Sequence, residues 1–134
     1  MRSLFEEVLS RFRGDDLRDV YAGFDAVPYR TKPRGLITVI SEETVQIDAP
    51  FPGEDAGIYP FEAVFKVSVL IPMSMPLENA EDFFRETVIP RMEAMGSVPC
   101  EIKPAKTDRT LERVVLEGTF RMKGIYLDGE EDGA

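Results

Sequence analysis

The side chains able to do chemistry in this sequence are few and poorly grouped. Glu42 and Glu43 are adjacent, Glu54 and Asp55 are adjacent, Cys100 is the single cysteine, and Tyr29, Tyr59 and Tyr126 are spread along the chain. Paired carboxylates do general acid–base work when both reach one substrate atom. Neighbours in an extended strand point to opposite faces, so Glu42 and Glu43 do not form such a pair. Glu54 and Asp55 offer two loop acids, short of the roughly six to eight oxygens a hard cation such as calcium takes. The sequence has no histidine, so the commonest general base and the usual nitrogen ligand for a metal are missing. Cys100 follows Pro99 with no helix start or basic cluster to activate it, which reads as a buried or inert thiol. No glycine-rich phosphate loop or nucleophile elbow is present. The residues point to no catalytic set, metal site or cofactor, and so to a protein that is not an enzyme.

Composition points the same way. The net charge is −9, from 25 acidic and 16 basic residues. Gripping nucleic acid through its phosphates needs a basic face, so sequence-specific nucleic-acid binding is not expected. An acidic wall beside DNA remains compatible with this balance, because it repels phosphate and lets it pass. The start Met1-Arg2-Ser3-Leu4-Phe5-Glu6-Glu7 places acid where a secretory signal needs an apolar run, and no stretch reaches the length of a membrane span. With one cysteine and no disulfide framework, the expectation is a cytosolic protein without a membrane partner.

The elements that would position these residues centre on the stretch from Phe61 to Ile71. Phe61, Ala63, Phe65, Val67, Val69 and Ile71 alternate strictly, which predicts a central β-strand with one apolar face. Its other face, Glu62, Val64, Lys66, Ser68 and Leu70, begins wet and becomes apolar. Before it, Ser3 and Glu6 form a capping-box pattern opening a helix to Arg13, with Leu4, Phe5, Val8, Leu9 and Phe12 as its stripe and Gly14 as its stop. The Arg13-Gly14-Asp15 tripeptide is read as that helix stop and not as an adhesion motif. Asp16 to Ala22 reads as an added helical turn and Gly23 to Arg30 as a short edge strand. Leu36 to Asp48 reads as a strand with a bulge or bend at Ser41-Glu42-Glu43.

After the central strand, a helix capped by Asn79 carries Leu77, Ala80, Phe84, Val88, Met92 and Met95 on one face. Pro90 should kink or split it near Ile89, and Gly96 should end it. Met73, Met75, Met92 and Met95 are read as core filling. Val98 to Lys103 reads as a strand, Pro104 to Arg109 as a turn, and Leu111 to Leu127 as a long strand with Gly118 and Gly124 on its apolar face, where a bend or close packing is expected. The order of elements predicts an α+β fold: a mainly antiparallel β-sheet packed by two main helices in a single domain over residues 1–127. Residues 128–134 form an acidic flexible tail.

The ordering of these pieces resembles the tail terminator and minor tail proteins of long-tailed bacteriophages and prophages. The resemblance rests on the amphipathic start Leu4-Phe5-Glu6-Glu7-Val8-Leu9, on Gly23-Phe24-Asp25-Ala26-Val27-Pro28-Tyr29 before Pro33, and on Leu36-Ile37-Thr38-Val39. It continues through a long irregular loop, Phe61 to Ile71 leading into a helix, and the closing strand Val115 to Tyr126. It spans nearly the whole chain by pattern and not by a fixed motif, and Pro90 departs from it. The resemblance implies a homo-hexameric ring that caps the tail tube and joins it to the head side. It also implies tail tube and head–tail joining proteins as partners, and a place in the host cytoplasm during assembly and then in the virion tail. No catalytic residues come with it.

The stretch Ala49 to Pro60, with three prolines and two glycines, reads as a long loop that nevertheless carries Phe51, Ile58 and Tyr59. Apolar residues in such a loop either fold back on the domain or wait for a partner, and these three are the candidate subunit-interface residues. The competing readings are a cytosolic enzyme or small-ligand binder using a cleft between sheet and helices, with Tyr29, Tyr59 and Tyr126 as acid–base groups, a dimeric cytosolic adaptor, and another head–tail joining or tail tube protein.

Overall fold

In the computed structural model, residues 4–23, 33–47 and 58–127 are described, and they form an α+β fold with the core between one sheet and its helices. In chain order the elements are α1 (Leu4–Arg13), β1 (Val20–Ala22), β2 (Ile37–Ile47), β3 (Ile58–Pro72), α2 (Leu77–Phe83), a π-helical turn (Phe84–Val88), α3 (Ile89–Ala94), β4 (Ser97–Ile102), β5 (Lys106–Asp108) and β6 (Arg113–Leu127). The sheet has six strands in the order β1-β2-β3-β6-β4, with β5 also on β6. Every pairing is antiparallel except β1 with β2.

β3 is the middle of the sheet, as its alternation predicts. Ala63, Phe65, Val67, Val69 and Ile71 are fully buried, and they meet Val8 and Phe12 of α1 and Ala80, Phe84, Val88 and Met92 of the second helical segment in one cluster. Both helical segments therefore lie on the same face of the sheet. On the other face Val39, Ser68 and Leu70 are also buried, while Glu62 and Lys66 remain partly exposed, so the wet-to-apolar gradient along β3 holds.

The strand is longer than alternation alone suggests. Ile58, Tyr59 and Pro60 are not the end of a loop; they are the first rungs of β3, paired with Leu127, Tyr126 and Ile125. The reason is that β6 runs on alongside and supplies partners. Pro60 and Pro72 sit at even positions of β3. The Met73 N–H donates to Glu112 O at 3.0 Å, so odd positions face β6 and even ones face β2. Among the described residues the β2 ladder reaches from Leu70 to Phe61, so neither proline takes a place in it where a donor is needed. Phe51 and the rest of residues 48–57 lie outside the described residues, as do Tyr29, Glu54, Asp55, Ser3 of the capping box, and the tail at 128–134.

Three sequence expectations are corrected. Val20–Ala22 is a strand parallel to Val39's neighbourhood in β2 and not a helical turn, held by Thr38 N–H to Asp19 O at 2.9 Å and Gly23 N–H to Ile40 O at 2.7 Å. Gly23 follows that strand, and the rest of the stretch expected as a strand, residues 24–30, lies outside the described residues. Asn79 is inside α2, not at its cap: the helix starts after Pro76 without a side-chain cap, and the Asn79 N–H donates to Pro76 O at 3.0 Å. Lys106–Asp108 is a strand, and the turn falls at 109–112. Asp108 Oδ1 accepts the Leu111 N–H at 3.2 Å, Asp108 Oδ2 accepts Arg113 Nε at 3.1 Å, and Glu112 takes a left-handed φ of 47°. The expected bulge in β2 is present between Glu42 and Thr44.

Candidate functional site

The helical face from Ala80 to Met92 explains how this sheet is braced. Ala80, Phe84, Val88 and Met92 recur every fourth residue, and in a regular α-helix each such step drifts about 40° around the axis. Four of them would wander off the core. The π turn at Phe84–Val88 absorbs the drift, with the Ile89 N–H reaching back five residues to Phe84 O. It comes immediately before Pro90, which has no N–H to give and whose ring would crowd the carbonyl four residues back in a tight α-turn. The split expected near Ile89 is thus a widened turn, and α3 begins at that point. The turn seats the Phe84 ring over the sheet: it stacks on Phe120 with centroids 6.1 Å apart, and a side chain at Gly118 would meet it at 2.5 Å.

Arg91, just past this turn, fastens α1. Its guanidinium donates to Phe12 O at 2.7 Å and Arg13 O at 3.4 Å, carbonyls at the end of α1, and to Asp16 Oδ2 at 2.5 Å. The hydrogen bond from Arg91, against the opposing cost of desolvation and helped less by a backbone hydrogen bond at Asp16 and by the guanidinium's charge, holds the Asp16 carboxyl below its ordinary 3.8. Arg13 in turn donates to Val20 O at 2.8 Å, which ties the start of β1. Near this junction Asp16, Leu17, Arg18, Asp19, Val20, Leu36, Thr38 and Phe83 line a cleft of about 300 Å³.

Among the described residues, the carboxylates and the thiol that suggested chemistry do not converge. Glu42 precedes the β2 bulge, opposite Phe65, while Glu43 is the extra residue and lies 3.5 Å from Lys66. Tyr59 and Tyr126 are register partners in neighbouring strands. Cys100 is exposed and not buried, at the bulge of β4, with Sγ 3.8 Å from Val98 O. Among the described residues no group of three or more His, Cys, Asp or Glu is placed to hold a metal, and no helix is long and apolar enough to cross a membrane.

What stands out is where apolar side chains remain in solvent. Val45 and Ile47 are 41% and 53% exposed on the outer half of β2, and Val98 and Ile102 are 56% and 48% exposed on β4. These strands lie on opposite sides of the sheet. Among the described residues β1 pairs with β2 only at Thr38–Ile40, so residues 41–47 have no described strand partner on that side, and β4 forms the other edge beside β6. Met73 and Leu77, at the turn into α2, complete the exposed large hydrophobics among the described residues. In the sequence Val45 and Ile47 fall at odd positions of a long strand and β4 reads as an ordinary strand, with no sign that these side chains would stay in solvent. No protein-family model matches the sequence, and no curated protein matches it.

Proposed function

We propose that this chain is a structural subunit of a phage or prophage tail, a terminator that closes on the tail tube as a hexameric ring and joins it to the head side. The observation that carries this reading is the pair of exposed apolar edges on opposite sides of one sheet. A subunit with two different sticky surfaces associates head to tail, and such contacts close into a ring when the rotation per subunit divides a full turn. The resemblance in element order supports the same role. The dispersed carboxylates and phenols suit a protein whose work is assembly and not turnover. Phe51, Ile58 and Tyr59 remain candidates for the subunit contact; of these, Ile58 and Tyr59 are in the first rungs of β3, at the end of the sheet where Val45 and Ile47 lie.

The test is made with purified chain and a tail tube protein from the same genome, which this reading expects to be encoded there. The chain should form closed rings visible by negative-stain microscopy, and adding it to growing tubes should arrest elongation at one end. An unchanged distribution of tube lengths, with the chain absent from tube ends, overturns the proposal.

A further inference from the structure

Among the described residues the two edges differ in charge as well as position. On the outer half of β2, Glu42 and Glu43 are both exposed, Glu43 lying 3.5 Å from Lys66. On the far side, the run from β4 through β5 into its turn carries Lys103, Lys106 and Arg109, all exposed, against exposed Glu101. Of the other two acids of that run, Asp108 is already bound to Arg113 at 3.1 Å and Glu112 is exposed in the turn, which leaves three exposed bases against two exposed acids. None of the three bases has an ion-pair partner among the described residues. In a chain of net charge −9 this basic edge is a local exception.

From this opposition we infer that the chain binds a second copy of itself head to tail, the acidic outer half of β2 on one copy meeting the basic β4–β5 edge of the next. Each edge pairs badly with itself: β2 on β2 sets Glu42 and Glu43 against their own copies, and β4–β5 on β4–β5 sets Lys103 and Lys106 against theirs. The crossed pairing opposes acid to base and brings Val45 and Ile47, on the helix-bearing face of the sheet, toward Ile102 on that same face, while Val98 lies on the other face. The contact is made by side chains and not by a continuous β-ladder. The Lys103 N–H donates to Glu117 O, so odd positions of β6 face β4; Pro99 pairs with even-numbered Phe120 and therefore turns its donorless nitrogen outward. The inference rests on the ring reading and adds to it which edges meet and in which sense.

Two charge-reversed proteins test it, Glu42→Lys with Glu43→Lys, and Lys103→Glu with Lys106→Glu, studied by sedimentation velocity from low to high salt. Assembly of the unaltered chain should weaken as salt rises toward 0.5 M, because exposed charges are then screened within a few ångströms, roughly 4 Å. Each reversed protein alone should lose association on the order of tenfold or more. An equimolar mixture should recover it, since every junction then again opposes acid to base. Circular dichroism confirms folding, and if a reversal unfolds, the neutral Glu42→Gln with Glu43→Gln variant should show a smaller loss in the same direction. Full association of both reversed proteins, or no recovery on mixing, overturns this inference and leaves the ring reading standing. An unaltered chain that stays monomeric at every concentration overturns both.

Discussion

At the scale of single residues, Gly118 and Arg91 carry disproportionate consequences. A methyl group at residue 118 would sit 2.5 Å from the Phe84 ring, which is buried and stacked on Phe120 and has no free volume to retreat into. Gly118→Ala should therefore destabilise by about 1–3 kcal/mol, the usual range for overpacking. A urea midpoint no lower than that of the unaltered chain would contradict this packing. Arg91 joins α1 to the far helix by accepting no substitute for its forked donors: a lysine brings one ammonium where three oxygens are served. Arg91→Lys should lower stability by about 1–2 kcal/mol, read in the same denaturation experiment.

The Arg91 to Asp16 contact also fixes a pH dependence. Its carboxyl titrates below the ordinary 3.8, so the folded chain holds the ionised form more strongly than the unfolded chain does. The stability this contributes is present above the unfolded value and is lost as pH falls through the folded one. Asp16→Asn should thus be less stable than the unaltered chain at pH 7. The gap should narrow as the pH drops below about 3.8. Parallel denaturation curves with a constant gap down to acid pH would show that Asp16 does not act through its charge.

At the scale of elements, the π turn is a consequence of spacing. Because Ala80, Phe84, Val88 and Met92 step by four, the helix needs about 0.4 residue more per turn than the roughly 3.6 an α-helix provides, about one residue over the three steps, and Pro90 sits where that surplus is easiest to hold. Deleting exposed Glu86 would bring the steps back to a four-three-four pattern that an α-helix keeps on one face, but would leave Pro90 inside it. The deletion alone should cost about 3 kcal/mol. Combined with Pro90→Ala it should return to within about 1 kcal/mol of the starting stability. If the double change is as damaging as the deletion, the turn is set by something other than spacing and proline.

This is also where sequence reading succeeds and fails for physical reasons. The strict alternation from Phe61 to Ile71 marks β3 because both neighbours leave one face to the core, and Gly118 and Gly124 could be placed on the apolar face because β6 alternates as well. Val20–Ala22 escaped notice because three residues carry no period, and their strand character comes from a parallel partner distant in sequence. Ile58 and Tyr59 read as loop in sequence because the prolines and glycines of Ala49 to Pro60 argue against a paired strand. The argument fails where the ladder is one-sided. The candidate surface was half legible: Val45 and Ile47 are apolar in sequence, but their exposure depends on how far the helices reach.

At the scale of the whole molecule, the charge makes its own prediction. If the chain surrounds a passing genome, part of its acidic excess faces the lumen and repels phosphate. The assembled form should then bind double-stranded DNA more weakly than micromolar even at low salt, in a mobility-shift assay. Tighter binding would mean that the basic edge stays open in the assembly.

The pairing of β3 with β6 has a consequence for how the chain is made. Pro72 meets Arg113 and Ile58 meets Leu127, so the strand at the centre of the sheet gains one of its two neighbours only when the latest described strand has been synthesised. Until β6 clears the ribosome, β3 presents an unpaired edge together with Phe65, Val67, Val69 and Ile71, beside a hairpin partner, β2, that is itself open on its outer half. Distant pairings form slowly, and exposed strand edges recruit one another in the meantime. The nascent chain is thus a natural client for a chaperone that shields extended apolar segments. Its yield in a cell should depend on translation speed past Arg113 more than on the stability of the finished fold.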